Sequence, residues 1–440
     1  MAKKHILTIE EKLQQALVPK EEQPYKIPDN WCWVKLSILF ENKTDSKRKI
    51  QQKNYLSQGQ YPIVDQGEAL IGGYTNNQEM VLDFNQPIII FGDHTRCVKY
   101  IDFPFVQGAD GVKILKPQSH IESKFFYYNL INLINLELPS LGYRRHFSLL
   151  NKMLMPISTK SEQQRIVEKI ENLFAKLDKA KDFIQATIDK FEQNKMAVLH
   201  KAFTGELTAN WRKSHGIVQP IEYISLNDCG TWSGGGTPST SHQAYWENGN
   251  ILWITSKDMK VKYITSTQKM VNEYGIEHSS AKYIEKPALL FVIRSGILRN
   301  TLPVCMVQKP FTINQDLKAL IPKDGIELAY IYWICKSEEF TILSTCMKNG
   351  TTVESISFDK LKDFKIPIPD IEEQREVVRI LDDVITKEQH IMELATKNLA
   401  QIELLKKSIL AKAFRGGLGT NDGDDGSAME LLKSILANEG

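Results

Sequence analysis

A gapless internal repeat constrains this chain's fold more than any other feature of its sequence. Residues 147–207 recur as residues 358–418 at a constant offset of 211 (358 − 147). Phe147 is matched by Phe358, Pro156 by Pro367, and the pair Glu162-Gln163 by Glu373-Gln374. The closing KAFTGEL at 201–207 returns as KAFRGGL at 412–418. Both ends agree, and so does the spacing between them, so the two copies are expected to build the same structure.

Each copy opens on an apolar-alternating strand with proline near its end, LMPIS at 154–158 and FKIPIP at 364–369. A segment without Gly or Pro follows, 157–204 in the first copy and 370–415 in the second. Apolar residues fall at Ile166, Ile170, Leu173, Leu177, Ala180, Ile184, Phe191 and Val198, and again at Val377, Leu381, Val384, Ile391, Ala395, Ile402, Leu405 and Ile409. Steps alternating between three and four residues make a heptad seam, so each segment reads as one long helix. Glu388 and Asn398 interrupt the second seam. At about 1.5 Å per residue, roughly 45 helical residues form a rod of about 65 Å. The apolar stripe of one rod needs a partner, and the other copy, running antiparallel, supplies it. Acids and bases are nearly balanced along both rods, which suits protein packing better than phosphate binding. A plain spacer and a docking surface for partner subunits both remain open.

The remaining sequence is rich in short β-branched and aromatic runs, such as QPIIIFGD (86–93), ILWITSKD (251–258) and ALLFVIRSG (288–296), punctuated by Gly, Asn and Pro. These runs predict two β-rich globules, so the fold class is α/β (α+β). The expected order is an N-terminal arm (1–27), a first globule (28–157), a first long helix (158–207), a second globule (208–368), a second long helix (369–418), and a linker with a short C-terminal helix (419–440). That last helix either packs near the N-terminal piece and closes the repeat, or forms a disordered tail.

Composition limits function. With 55 Lys and Arg against 53 Asp and Glu, the net charge is +2, so any nucleic-acid binding must come from local basic patches. Six cysteines are scattered without a CxxC pair, which excludes a zinc ribbon and suits a reducing compartment; Cys32 and Cys97 read as small core residues. No signal-like h-region or membrane-length apolar run is visible, so a cytoplasmic location with no membrane partner is expected. There is no Asn-Pro-Pro-aromatic tetrad, no Walker A motif and no HExxH helix. No catalytic residue, metal site or cofactor site is therefore expected in this chain.

The order globule, helix, globule, helix resembles the specificity subunits of Type I restriction–modification systems. The resemblance covers nearly the whole chain. Its most specific elements are the twice-present Glu-Gln, long-helix and KAF–G block, together with YPIVDQGEALIGGYTN (61–76), IIIFGDHTRCVKYID (88–102), FVQGADGVKILKP (105–117) and GYRRHFSLL (142–150) in the first globule. In the second, SGGGTPSTSHQAYWENGNILWITSKDM (233–259), VIRSGILRN (292–300) and NQDLKALIP (314–322) look like another form of the same target-recognition domain. The resemblance implies a non-catalytic subunit that reads an asymmetric, bipartite DNA target with one half-site per globule. It implies two modification subunits carrying S-adenosylmethionine and N6-adenine methylation, and two restriction subunits carrying ATP- and Mg-dependent translocation and cleavage. On that reading the rods set the distance between half-sites. A stand-alone methyltransferase or nuclease, and a coiled-coil adaptor without a DNA role, are the alternatives.

Candidate DNA-binding residues are those that offer charge, hydroxyls or paired donors on turns. In the first globule these are Lys43, Thr44, Ser46, Lys47, Arg48 and Lys49; Tyr74; His94, Thr95 and Arg96 after the Gly92-Asp93 turn; and Tyr143, Arg144, Arg145 and His146. In the second they are Ser233, Gly235, Thr237 and Ser239 on a Gly/Ser/Thr loop; Thr255, Ser256 and Lys257; Arg294, Ser295 and Arg299; and Lys348, Asn349, Thr351 and Thr352. Asn314 and Gln315 could read adenine or cap a turn. A basic run taken alone is usually a solvated face, and a Gly-rich loop taken alone is usually a plain turn.

Overall fold

The computed structural model describes residues 8–137, 145–218, 220–348 and 353–437. Its helices are α1 (Ile9–Ala16), α2 (Ser123–Glu137), α3 (Phe147–Leu150), α4 (Lys160–Phe203), α5 (Ala209–Ser214), α6 (Glu273–Glu277), α7 (Leu328–Ser337), α8 (Glu339–Cys346), α9 (Phe358–Asp363), α10 (Ile371–Ala413) and α11 (Ala428–Ala437). Its strands up to the first long helix are β1 (Cys32–Lys35), β2 (Phe40–Asn42), β3 (Lys49–Ile50), β4 (Tyr61–Val64), β5 (Gly73–Thr75), β6 (Val81–Leu82), β7 (Ile88–Gly92), β8 (Val98–Ile101), β9 (Phe105–Gly108), β10 (Val112–Pro117) and β11 (Leu154–Ile157). Beyond it follow β12 (Glu222–Ser225), β13 (Gly230–Gly234), β14 (Ile251–Ile254), β15 (Lys269–Val271), β16 (Ala288–Val292), β17 (Val304–Val307), β18 (Phe311–Ile313), β19 (Leu317–Pro322) and β20 (Lys365–Ile368). The chain divides into two compact units, residues 1–184 with 396–440, and residues 185–395.

Both long helices start and stop for the same local reasons. Thr159 caps α4, its hydroxyl accepting from the Glu162 N–H (3.3 Å). Asp370 caps α10, its carboxylate accepting from the N–H groups of Glu372 and Glu373 (3.0 Å each). At the other end, Gly205 and Gly416 take φ values of +78° and +72°, the left-handed turn that ends a helix and that a side chain resists. The Ala and Phe of each KAF before them enter the cores, while the lysines stay exposed. Phe203 packs edge-on against Tyr330 (5.6 Å between centroids) in the second unit, and Phe414 against Phe125 (5.4 Å) in the first.

Within each unit the two helices run antiparallel. In the first, Lys181 pairs with Glu403 (3.0 Å) and Lys406 with Asp178 (2.5 Å), so rising numbers on α4 meet falling numbers on α10. In the second, Glu388 is buried at the helix contact, beside Lys195 and Glu192. Desolvation there lifts its carboxyl above the usual range. Most seam positions are buried or half-buried, but Leu405 is half exposed and lies outside the contact expected of it.

The two globules have unlike sequences but share their wiring. The first unit holds a four-stranded sheet in the order β2-β10-β7-β8, and the second the equivalent β13-β19-β16-β17. The pair β1–β11 answers to β12–β20. The parallel neighbours β4 and β9, with Ile63 opposite Val106, answer to β14 and β18, with Leu252 opposite Phe311. The antiparallel partners β5 and β15 complete the correspondence. The offset between equivalents grows from 190 at β1 and β12 (222 − 32) to 211 at β11 and β20 (365 − 154), so the differences in length sit in loops.

The continuous apolar runs at 88–92 and 288–292 form central strands buried along their whole length. Ile89 and Phe91 face the core shared with α2, while Ile88 and Ile90 face a separate cluster with Val112 and Ile114. Burial on both faces is why these strands lack polar alternation. The C-terminal piece packs against the N-terminal one, as one of its two expected placements held. Leu432, Ile435 and Leu436 of α11 share a core with Leu13 and Ala16 of α1, and the Lys12 ammonium donates to the Leu436 carbonyl (3.1 Å).

Candidate nucleic-acid interface

In the first globule four loops converge at the ends of β2, β4, β7 and β9. Gln66, just past β4, accepts from the His94 N–H through Oε1 (3.2 Å), and its carbonyl accepts the Thr95 hydroxyl (2.6 Å). Asp93 joins its own N–H to the Gly111 carbonyl (2.6 Å) and accepts the Phe147 N–H on its carboxylate (2.7 Å). Gln107 holds the 43–49 loop by accepting from the Asp45 N–H (3.2 Å). These bonds bring together Lys43, Thr44, Ser46, Lys47, Arg48, Lys49, His94, Thr95, Arg96 and Arg145.

Several predicted contacts have internal duties instead. His146 is 1% exposed; its N–H and its ring Nδ1 both meet the Asp93 carbonyl at 2.9 Å, so it fastens the 145–147 turn and offers DNA nothing. Asp93, 4% exposed, is likewise structural. The Thr44 hydroxyl accepts from the Ile114 N–H (2.9 Å) and donates to Asn42 (2.6 Å). Tyr74 is not brought to this rim. It sits opposite Pro62 on β5, four residues back along β4 from Gln66, a strand distance of about 13 Å. Tyr143 and Arg144 lie outside the described residues.

The basic run is also less positive than its sequence suggests. Lys43 pairs with Glu41, Arg48 with Asp45 (3.9 Å) and Lys49 with Asp110 (2.9 Å). Lys47 and Arg145 are exposed and make no ion pair among the described residues. Below the rim, the Lys99 ammonium, 5% exposed, donates to the Ala69 carbonyl (2.5 Å) beside Asp65 (3.6 Å) and so fastens the 65–72 loop. Desolvation depresses the Lys99 pKa below the usual range for lysine.

The second globule forms its rim at the equivalent ends of β13, β14, β16 and β18. Asn314 N–H donates to the Ile254 carbonyl (3.1 Å), Gly236 N–H to Ile313 (3.0 Å), and Ile293 N–H to Asp316 (2.9 Å). Lys348 and residues 354–356 are drawn in by Ser295 N–H to Glu354 (3.0 Å), Lys348 N–H to Ser355 (2.9 Å) and Ile356 N–H to Ile293 (2.8 Å). Thr237, Ser256, Lys257, Arg294, Ser295 and Lys348 therefore share one edge of the domain. Lys257, Arg294 and Lys348 are exposed and make no ion pair among the described residues, whereas Arg299 is held by Glu354 (3.1 Å).

Here too several candidates have partners within the chain. Ser233 lies within β13, paired opposite Ala319, and is not on a loop. Gly235 and Gly236 do allow a close backbone approach, but to the chain's own Ile313 and Ser280 and not to DNA. The Ser239 hydroxyl meets Ser241 (2.9 Å) and its carbonyl accepts from Trp246 Nε1 (3.0 Å). The Thr255 hydroxyl caps its own turn by donating to Asp258 (2.8 Å). Asn314, 8% exposed, caps Asp316, which settles its choice in favour of the turn. Asn349, Thr351 and Thr352 lie outside the described residues. Gln66 was missed by the sequence reading, because a neutral residue outside any basic run carries no signal of its own.

The Glu-Gln pairs join each helix start to its globule. Glu162, fully buried, accepts from Trp31 Nε1 (2.6 Å), Asn421 Nδ2 (2.9 Å) and the Thr420 hydroxyl (3.3 Å). Glu373 accepts the Thr208 hydroxyl (2.6 Å) and Arg212 Nη1 (3.1 Å). Gln163 and Gln374 accept the N–H groups of Glu122 (2.9 Å) and Glu327 (2.8 Å). These pairs are joints and not acid–base catalysts.

Comparison with known proteins decides what such a molecule is. The family described as Type I restriction modification DNA specificity domain matches residues 28–188 and again 219–404. The chain belongs to this family. As a Type I specificity subunit it supplies DNA sequence recognition and is not itself catalytic. It is 30% identical over 379 residues to the EcoR124I/EcoR124II specificity subunit of Escherichia coli, covering 85% of this chain and 91% of that one. It is 24% identical over 330 residues to the EcoBI specificity subunit of E. coli, covering 70% and 68%. The fold matches a solved chain of a type I R-M system (TM-score 0.65, 18% identity, 90% of this chain and 100% of that one). It also matches the HsdS subunit from Thermoanaerobacter tengcongensis (TM-score 0.53, 18% identity, 90% and 100%). No described helix of this specificity subunit is long and apolar enough to cross a membrane.

Proposed function

We propose that this specificity subunit reads an asymmetric, bipartite duplex target with one half-site on the rim of each globule. The observation that carries this reading is the double convergence. In two globules of unlike sequence, equivalent strand ends gather hydroxyls, amides and unpaired cations at a single edge. Shared wiring with different loop residues is what two different half-sites require. Lys47 and Arg145 on one rim, and Lys257, Arg294 and Lys348 on the other, contact phosphates and fix register; Ser46, His94, Thr95, Arg96, Thr237, Ser256 and Ser295 lie next to base edges.

Two modification subunits bring S-adenosylmethionine, and two restriction subunits bring ATP and Mg, to the complex in the cytoplasm. The helix faces support docking of such partners. Leu404 and Leu405 are 63% and 50% exposed in the first unit, and Met196 and Leu394 are 59% and 45% exposed in the second.

The test is the salt dependence of duplex binding by the chain assembled with its modification subunit. Each phosphate contact contributes about −0.9 to the slope of log K against log salt. Lys47→Ala and Arg294→Ala should each make the slope shallower by about one unit. Slopes equal to the parent's in both variants would reject the rims as the DNA face.

A further inference from the structure

Each rim also carries one neutral side chain whose orientation is set by a neighbouring loop. In the first it is Gln66, whose Oε1 is held by the His94 N–H (3.2 Å). Two glycines make room for it: a Cβ on Gly92 would press on the Gln66 Cβ, and one on Gly111, whose φ is +82°, would run into Oε1. In the second it is Gln315, whose Oε1 is held by the Thr237 hydroxyl (2.6 Å). Gly235 and Gly236 again make this possible, because a Cβ on either would collide with Ile313 or Ser280 and lift the loop that brings Thr237 in. Neither Nε2 makes a hydrogen bond to any described residue. Gln315 is exposed and Gln66 half-buried at the rim surface.

We propose that Gln66 and Gln315 are base-reading residues, one per half-site, each presenting its Nε2 hydrogens to the N7 of a purine in the major groove. The proposal rests on the rims being the DNA face. The anchor of Gln66 is a backbone N–H, which can only donate, so its oxygen stays inward and the amide approaches the base as a donor; at Gln315 the Thr237 hydroxyl donates to Oε1 and leaves Nε2 outward in the same way. Purine N7 accepts such a donor, whereas cytosine presents its own N4 donor at the corresponding edge and is rejected. Part of the rotamer freedom that a loose glutamine would lose on docking is already lost on folding. Because the group is neutral, its contribution is to base preference and not to the counterion term.

The experiment uses the chain assembled with its modification subunit and duplexes carrying the target established by methylation mapping, each purine replaced in turn by its 7-deaza analogue. The parent should show one purine in each half-site where loss of N7 weakens binding, by about 2- to 13-fold for one hydrogen bond. Gln66→Ala should abolish that sensitivity in one half-site only, and Gln315→Ala in the other only. Gln66→Met, which keeps the length and the neutrality and removes the donors, should behave as Gln66→Ala does. Salt slopes should match the parent's in all three. The proposal is overturned if every 7-deaza sensitivity persists in the variants, or if a variant weakens all duplexes equally. Lys47→Ala and Arg294→Ala, measured alongside, separate the two ideas. If they leave the salt slope unchanged, the rim reading fails. If they lower it while the glutamine variants keep the parent's 7-deaza pattern, the glutamine assignment alone fails.

Discussion

Replacing Arg212 by Ala should destabilise the second unit by about 3 kcal/mol, because it strands a buried carboxylate. Glu373 is 2% exposed, and its Oε1 accepts from both Arg212 Nη1 (3.1 Å) and the Thr208 hydroxyl (2.6 Å). At 3.1 Å and an effective dielectric of about 20, Coulomb's law gives about 5 kcal/mol of gross attraction. Desolvation of the two ions cancels part of that, which is why the expected loss is smaller. Arg212→Ala also removes a donor from the Gly205 carbonyl (2.7 Å), at the turn where α4 ends. Glu373→Ala should cost less, about 2 kcal/mol, because the Arg212 side chain is 21% exposed and can reach water. The double variant should then reveal a coupling of about 1.5 kcal/mol. Urea unfolding gives the totals. Hydrogen exchange in the first turn of α10 assigns the loss to this joint. A coupling below about 0.5 kcal/mol would refute the view that the Glu-Gln motif is an electrostatic joint.

Two further outcomes follow from burial. Desolvation raises the Glu162 carboxyl above its ordinary 4.5, although Trp31, Asn421 and Thr420 oppose the shift. The folded chain therefore holds this proton after the unfolded chain has released it, so the group's contribution to stability falls as pH rises from about 4.5 through the raised value and is flat above it. Glu162→Gln should gain stability relative to the parent across that window, measured as urea midpoints at several pH values; a pH-independent difference would contradict this. Burial also pushes the Cys32 thiol up to about 12 and those of Cys229 and Cys305 up to about 11. Iodoacetamide on the native chain should leave these three unmodified at neutral pH and label them in urea; rapid native labelling of any one would show that its burial is wrong.

The repeat was legible because it survives without gaps. Thr159 and Asp370 cap the two helices at the shared offset, and Phe203 and Phe414 fill equivalent core positions. The family resemblance made the globules two forms of one domain, but their strand-by-strand correspondence was not legible, since the offset drifts from 190 to 211 across loops of different length and their equivalent strands share little but apolar character. Among site residues, composition located the loops but not the direction of each side chain. His146, Thr44 and Ser233 have the chemistry of DNA contacts, yet hydrogen bonds and strand pairing turn them inward or bind them to neighbours. Lys43, Arg48, Lys49 and Arg299 look like free cations until Glu41, Asp45, Asp110 and Glu354 fold onto them. Gln66 becomes visible only when strand order places it beside His94.

The central claim is that each rim reads its own half-site, and a map of adenine methylation across the host genome tests it most directly. The map should show a bipartite motif that disappears when this gene is deleted and returns with the parent chain. Complementation by a chain altered only on the first rim, at Lys47, Gln66 and Arg145, should change or weaken one half of the motif and leave the sequence of the other half intact. A motif that is unchanged, or whose two halves change together, would contradict the account.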